Sequence, residues 1–218
     1  MIDISGWTEV FLERLHGLFP GRVFFVGLQG SYSRGEASDD SDIDMVVILN
    51  TLDQDDLAAY RRMLDSLEHR DLICGFLSGM DELMNWEPFD LFTLYYDTVP
   101  LFGSLGVLAR RLDREAVQRA VRVGACNIYH GCVHNYLHGE NCRALTGLYK
   151  CAVFVVQARI FLETGSYIAR SAELMEFLPE SDKEIVDTYR AMKMGETFDL
   201  DVLSGVLFRW AQNILIEG

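Results

Sequence analysis

Residues 30 to 44 read Gly30-Ser31-Tyr32-Ser33-Arg34-Gly35-Glu36-Ala37-Ser38-Asp39-Asp40-Ser41-Asp42-Ile43-Asp44, between the apolar runs 23–28 and 45–49. Asp42 and Asp44 are two apart where the second apolar run begins. Strand side chains alternate between faces, so both carboxylates project to one side while Ile43 points to the core. Two acids on one face repel each other, and a cation between them relieves the cost. Hard carboxylate oxygens suit Mg²⁺, which keeps water and substrate phosphates as its other ligands. Two such ions, about 3.5–4 Å apart, hold the attacking and leaving oxygens of an in-line displacement. Gly30-Ser31 follows the first apolar run directly. Glycine lets the backbone turn with positive φ and approach a ligand. Exposed N–H groups and the Ser31 hydroxyl then cradle phosphate oxygens, with Arg34 as a charge partner for the β- or γ-phosphate. The stretch reads as a metal-assisted site for a nucleoside triphosphate.

The elements that position this stretch follow from periodicity. Residues 8–18 carry Phe11, Leu15 and Leu18 at helical spacing before Pro20-Gly21. Residues 22–29, 43–49 and 71–77 read as strands, and residues 90–96 as strand-like. Residues 53–69 place Leu57, Tyr60, Leu64 and Leu67 on one helix face, with acids in the first turn where the helix dipole favours them. A short helix is expected at 81–86 and a connection at 100–106. From Arg114 onward the spacing is helical, with helices expected near 114–137, 142–163, 172–177, 182–194 and 202–217. Ser181 with Glu184 suggests a capping box for the fourth of these, and Gly139 and Gly165 sit where helices should end. The expected class is α+β: a mixed-sheet domain at 1–105 and an all-helical, bundle-like domain at 106–218, divided near residues 103–106.

The order strand, Gly30-Ser31, ten residues, Asp42-x-Asp44, strand resembles the nucleotidyltransferase superfamily of the DNA polymerase β type. Arg34-Gly35 and Ser41 match its commoner form, Gly-Ser-x-x-x-Gly followed by Ser-Asp-x-Asp. The helix and strand that follow, and the helical second half, are similar to the small antibiotic nucleotidyltransferases that act on aminoglycosides or lincosamides; 149–152 (Tyr-Lys-Cys-Ala) and 163–167 (Glu-Thr-Gly-Ser-Tyr) carry this looser likeness. The resemblance implies Mg²⁺ on Asp42 and Asp44 and a triphosphate tail on Ser31. It also implies a third carboxylate on a neighbouring strand, as metal ligand or as acceptor of the hydroxyl proton. Asp71, in Arg70-Asp71-Leu72-Ile73, resembles the Val-Asp-Leu-Val pattern of that position. Asp90 is the alternative, and Glu87 is a candidate for lining an acceptor pocket. Lys150, amid Leu148, Val153 and Phe154, either snorkels to the surface or contacts the triphosphate, as a basic residue of the helical half does in the antibiotic enzymes. The implied activity is transfer of a nucleoside monophosphate, AMP from ATP, to a hydroxyl of a small acceptor with release of pyrophosphate. The alternative is an antitoxin or regulatory module that binds or adenylylates a partner protein.

Other groups have plainer readings. His130, His134 and His138 recur every four residues; the spacing permits metal binding, but no fourth ligand is evident and the stripe reads as a polar helix face. Tyr95, Tyr96 and Asp97 are placed either to pack or to touch an acceptor. The formal net charge of −14 argues against a nucleic-acid partner, which needs clustered Lys and Arg, and fits a small cationic acceptor. Five cysteines with no Cys-x-x-Cys pair suit a reducing cytoplasm. The first residues lack the pattern of a signal peptide, and no run reads as a membrane span. Association with a second copy or a partner protein stays open.

Overall fold

A computed structural model of the chain describes residues 2–39, 41–139 and 141–217. The chain divides into two compact units, Met1–Arg111 and Leu112–Gly218.

The first unit opens with α1 (Ile4–Leu18), where the Asp3 side chain accepts from the Gly6 N–H and Trp7, Phe11 and Leu15 supply the buried stripe. The mixed sheet has the order β3-β2-β1-β4 among the described residues. β1 (Val23–Gln29) and β2 (Ile43–Leu49) are antiparallel neighbours at its centre. Both are nearly continuous apolar runs and are buried almost throughout, as strands covered on both faces must be. Between them lies one short helix, α2 (Gly30–Arg34), closed by Gly35 in the left-handed conformation. α3 (Gln54–Asp65) follows β2, with a reciprocal capping box between Asp53 and Asp56. Its core face is Tyr60, Met63, Leu64 and the following Leu67, whereas Leu57, expected on that face, is 50% exposed.

A 3₁₀ turn (Arg70–Leu72) leads into β3 (Ile73–Gly79), parallel to β2. β3 lies so close to β2 that a side chain at Gly75 would strike the backbone of Met45. The chain continues through α4 (Met80–Asn85) and α5 (Pro88–Tyr96) to β4 (Val99–Phe102), antiparallel to β1 on the outer edge. Two expectations are corrected here. Residues 90–96 form helix, not strand: Pro88 stands at the first helical position, where its fixed φ favours initiation, and Leu91 and Leu94 fall one turn apart on the buried face. The expected connection at 100–106 contains the fourth strand instead, with Pro100 opposite Gly27. Proline is tolerated there because an edge strand has one unpaired side.

The second unit is all-helical among its described residues: α6 (Arg114–His134), a π-helical segment (Asn135–Gly139), α7 (Cys142–Thr164), α8 (Ser171–Leu174) with a 3₁₀ turn (Met175–Phe177), α9 (Glu180–Lys193) and α10 (Leu200–Glu217). Its core gathers Ile128, Leu145, Tyr149, Val156, Ile185 and Leu207. Gly165 ends α7 with φ 73°, as expected. The capping box expected at Ser181 and Glu184 does not form: α9 begins earlier, behind Pro179. Asp182 is buried, and its carboxylate accepts two 2.8 Å bonds from Arg159 and one from Trp210 Nε1. Contrary to the sequence reading, α7 is long and apolar enough by length and composition to cross a membrane. Half of its most apolar window is buried within the fold, and the helix forms the centre of the helical core. The α+β expectation, a mixed-sheet unit followed by a helical one, is borne out.

Candidate active site

The site grows from the junction of β1 with α2. β1 is central and buried, so it delivers Gly30 to a fixed place, and Gln29 stands in register with Asp44 on β2. Gly30 has φ 74°, in the region that side chains disfavour. A Cβ at this position would collide with Asp44 Oδ2. The missing side chain is therefore what leaves room between the turn and the carboxylate. Ser33 Oγ donates to the Gly30 carbonyl at 2.8 Å, and the Glu36 N–H donates to the Ser31 carbonyl at 2.8 Å. Ser31 itself is half-buried.

Burial alternates at the head of β2. Ile43 is wholly buried, Asp44 half-buried and Asp42 exposed. The loop before them is pinned by Ser41, whose Oγ accepts from the Ser38 N–H at 2.8 Å and bonds Ser38 Oγ at 3.1 Å. Sequence reasoning used Ser41 only as part of a pattern; its role in fixing the approach to Asp42 emerges from these bonds.

Arg34, expected as a phosphate partner, is committed within the protein. Its Nη1 donates to Asp97 Oδ2 at 2.6 Å and its Nε to Glu36 Oε2 at 3.2 Å. Burial works against the Arg34 charge, but Asp97 and Glu36 more than offset it and hold its pKa above the ordinary value. Burial likewise pushes the Asp97 carboxyl above its usual range, while Arg34 and the Gly30 backbone amide pull it down. Asp97, which the sequence placed either to pack or to touch an acceptor, anchors the turn by holding Arg34 at the end of α2. Its side chain is 1% exposed. The signal was an acid directly after the apolar run 91–96, where burial demands a cation.

The third carboxylate is not gathered to the pair. Among the described residues no group of three His, Cys, Asp or Glu comes together to hold a metal ion. Asp71 is exposed on the turn ahead of β3. The register pairs Ile43 with Ile73 and Asp44 with Cys74, so Asp71 and Asp42 both lie just before the first paired residues, at the same end of the sheet. The strand position beside Asp44 belongs to Cys74. Asp90 is exposed in the first turn of α5, where its Oδ2 accepts from Trp86 Nε1 at 3.2 Å; Glu87 stands at the position just before that helix and its side chain makes no capping bond to it. Lys150 is exposed on α7 in the helical unit. Tyr96 packs against Tyr95 and Phe92, with ring centroids 4.9 and 5.1 Å apart. His130, His134 and His138 are all exposed and belong to no metal-holding group among the described residues.

Residues 9–83 match the family model of the nucleotidyltransferase domain. The chain carries a nucleotidyltransferase domain. That domain spans β1, the Gly30 turn, β2 and β3. No curated protein matches the chain. Among solved structures it is similar to spectinomycin adenyltransferase AAD(9) from Enterococcus faecialis, determined with ATP and spectinomycin: TM-score 0.62 and 12% identity, over 95% of this chain and 99% of that one. At this identity the likeness shows the fold. Two weaker likenesses carry no argument. One is to a toxin-antitoxin with AMP-PNP, with TM-score 0.37, 19% identity and coverage of 55% of this chain and 90% of that one. The other is to a nucleotidyltransferase-like protein from Exiguobacterium sibiricum 255-15, with TM-score 0.38, 10% identity and coverage of 98% and 75%.

Proposed function

We propose that this nucleotidyltransferase moves AMP from ATP to a hydroxyl of a small cationic acceptor and releases pyrophosphate. The observation that carries the reading is the meeting of the Gly30 turn with Asp44, with Asp42 two residues earlier, just ahead of β2. The similarity of fold to an adenyltransferase solved with ATP and spectinomycin supports the choice of nucleotide and acceptor class.

The donor set fits Mg²⁺. Asp42 and Asp44 offer hard oxygens, and with no side chain at Gly30 the turn comes close to Asp44 Oδ2. Mg²⁺ characteristically takes one or two carboxylates plus substrate phosphates rather than an all-protein cage, so two acids suffice to hold it. When bound, the ion neutralises phosphate charge and polarises the reacting phosphoryl group. Ser31 and the backbone of Gly30 grip the tail phosphates. Arg34 holds the turn through Asp97 and Glu36, and a contact from Arg34 to phosphate would use its remaining guanidinium N–H groups. In the reaction the acceptor oxygen forms a bond to the α-phosphorus and the bond from that phosphorus to the bridging oxygen breaks. Pyrophosphate leaves, and the acceptor's proton passes to a carboxylate, for which Asp71 is our assignment. The catalytic effect is positioning and charge neutralisation. The five cysteines are free thiols, in keeping with the cytoplasmic location we assign.

The test is pyrophosphate release with each NTP, Mg²⁺ and a panel of cationic antibiotics. Asp42→Asn and Asp44→Asn are each expected to lower turnover by about two orders of magnitude or more with an unchanged circular dichroism spectrum. Asp71→Asn is expected to lower turnover by about two orders of magnitude, and Asp90→Asn to leave it near normal. Near-normal turnover in Asp42→Asn sinks the mechanism.

A further inference from the structure

The helical unit contains a cavity of about 350 Å³ that the proposed reaction does not use. Val133, Tyr136, Leu137 and Phe208 form its apolar walls, with Cys132 and Gly205 beside them. Such a volume lies at the lower end of small-molecule sites. Two polar groups enter this lining. Ser204, on α10, is 3% exposed, and its Oγ is buried with no hydrogen-bond partner among the described residues. Asp201 lies three residues earlier on the same helix, hence on the same face, and is exposed. An unpaired buried hydroxyl is destabilising, a deficit that a bound partner removes.

The walls are built rather than loose. Asn135, at the start of the π-helical segment, donates from Nδ2 to the Asn141 carbonyl and accepts the Asn141 N–H at Oδ1, both at 3.2 Å. These bonds clamp the segment that presents Tyr136 and Leu137, which are 49% and 63% exposed. Single-turn π-helical segments inside helices are frequent at functional sites. Burial pushes the Cys132 thiol up to about 12, so it stays neutral and serves as an apolar wall.

From the unpaired Ser204 hydroxyl, the carboxylate one turn away and the apolar lining, we propose that this cavity binds a small amphiphilic amine, its apolar body against the walls and its ammonium group donating to Ser204 Oγ and facing Asp201. A carboxylate ligand would meet Asp201 and the −14 charge of the chain; a purely apolar one would leave Ser204 unpaired. The site is separate from the nucleotide chemistry, and its occupancy is read without turnover.

The full chain is titrated with phenethylamine, phenethyl alcohol and phenylacetate, followed by saturation-transfer NMR and calorimetry. The amine is expected to bind about tenfold more tightly than the alcohol, and the acid not to bind. Asp201→Asn should erase the advantage of the amine over the alcohol. Ser204→Ala should weaken both by about three- to tenfold. Gly205→Leu, which fills the cavity, should abolish binding and leave pyrophosphate release unchanged. Equal binding of all three probes, no binding of any, or undiminished amine affinity in both Asp201→Asn and Gly205→Leu overturns the proposal. So does concentration-dependent dimerisation that Gly205→Leu abolishes, which would make a second copy the occupant. Asp201 is exposed, so its variant keeps the test decisive even if Ser204→Ala fails to fold.

Discussion

Gly30 links backbone geometry to the proposed chemistry. Its φ of 74° and the proximity of Asp44 Oδ2 mean that a single methyl group both strains the turn and displaces the carboxylate. Gly30→Ala should therefore lower pyrophosphate release by about a hundredfold, the scale of an ångström of misplacement at a reacting centre, while far-ultraviolet dichroism stays native. A variant that retains more than half the activity would show that the turn does not set the site. This much was legible in the sequence, because both a glycine turn and the alternation of Asp42, Ile43 and Asp44 are local properties. The tie between Arg34 and Asp97 was not, since 63 residues separate the partners and nothing local to either marks the other. Nor was Cys74 as the neighbour of Asp44, which depends on the register of a parallel strand reached only after α3.

At the scale of elements, the buried pair of Arg34 and Asp97 fastens α2 to the end of α5. Asp97→Ala would leave a largely buried guanidinium with only Glu36. The expected cost is about 3 kcal/mol, the lower end for breaking a buried pair because Arg34 keeps some exposure, read as a shift in the urea midpoint at constant m-value. The start of α3 gives a pH-dependent counterpart. Arg22 bonds the Asp56 carboxylate at 2.9 Å, and that bond, helped by the Asp53 amide, holds its pKa below the ordinary 3.8. The unfolded chain thus binds the proton more readily, so this contribution is fully present above about pH 4 and is lost as the pH falls through the folded value. The stability gap between wild type and Asp56→Asn should be constant from pH 7 to 5 and close below pH 3.8, as followed by urea midpoints. The helices and central strands were readable from period alone. The two misreadings, α5 and β4, share a cause: residues 90–96 are rich in aromatic and aliphatic side chains that suit either element, and the choice fell to Pro88 and to the open edge of β1, which only the assembled sheet reveals.

Across the whole molecule the dominant property is charge. With 33 acidic against 19 basic residues, the surface potential should draw cationic acceptors and repel anions. The KM for a polycationic acceptor should therefore rise several-fold between 20 and 300 mM KCl, as screening shortens the reach of the field, while turnover at saturation changes little. A KM insensitive to salt would remove the electrostatic argument for a cationic substrate. The division into a sheet unit and a helical unit could be read from the change of period along the chain, but the cavity beside Ser204 could not, because it requires α6 and α10 to be packed. The same is true of the margin of the sheet. β4 sets Pro100 along the outer rim, where each free amide would otherwise invite another strand. A residue with no proton to donate interrupts that row, so accretion of further copies into a fibril meets a built-in stop on this side.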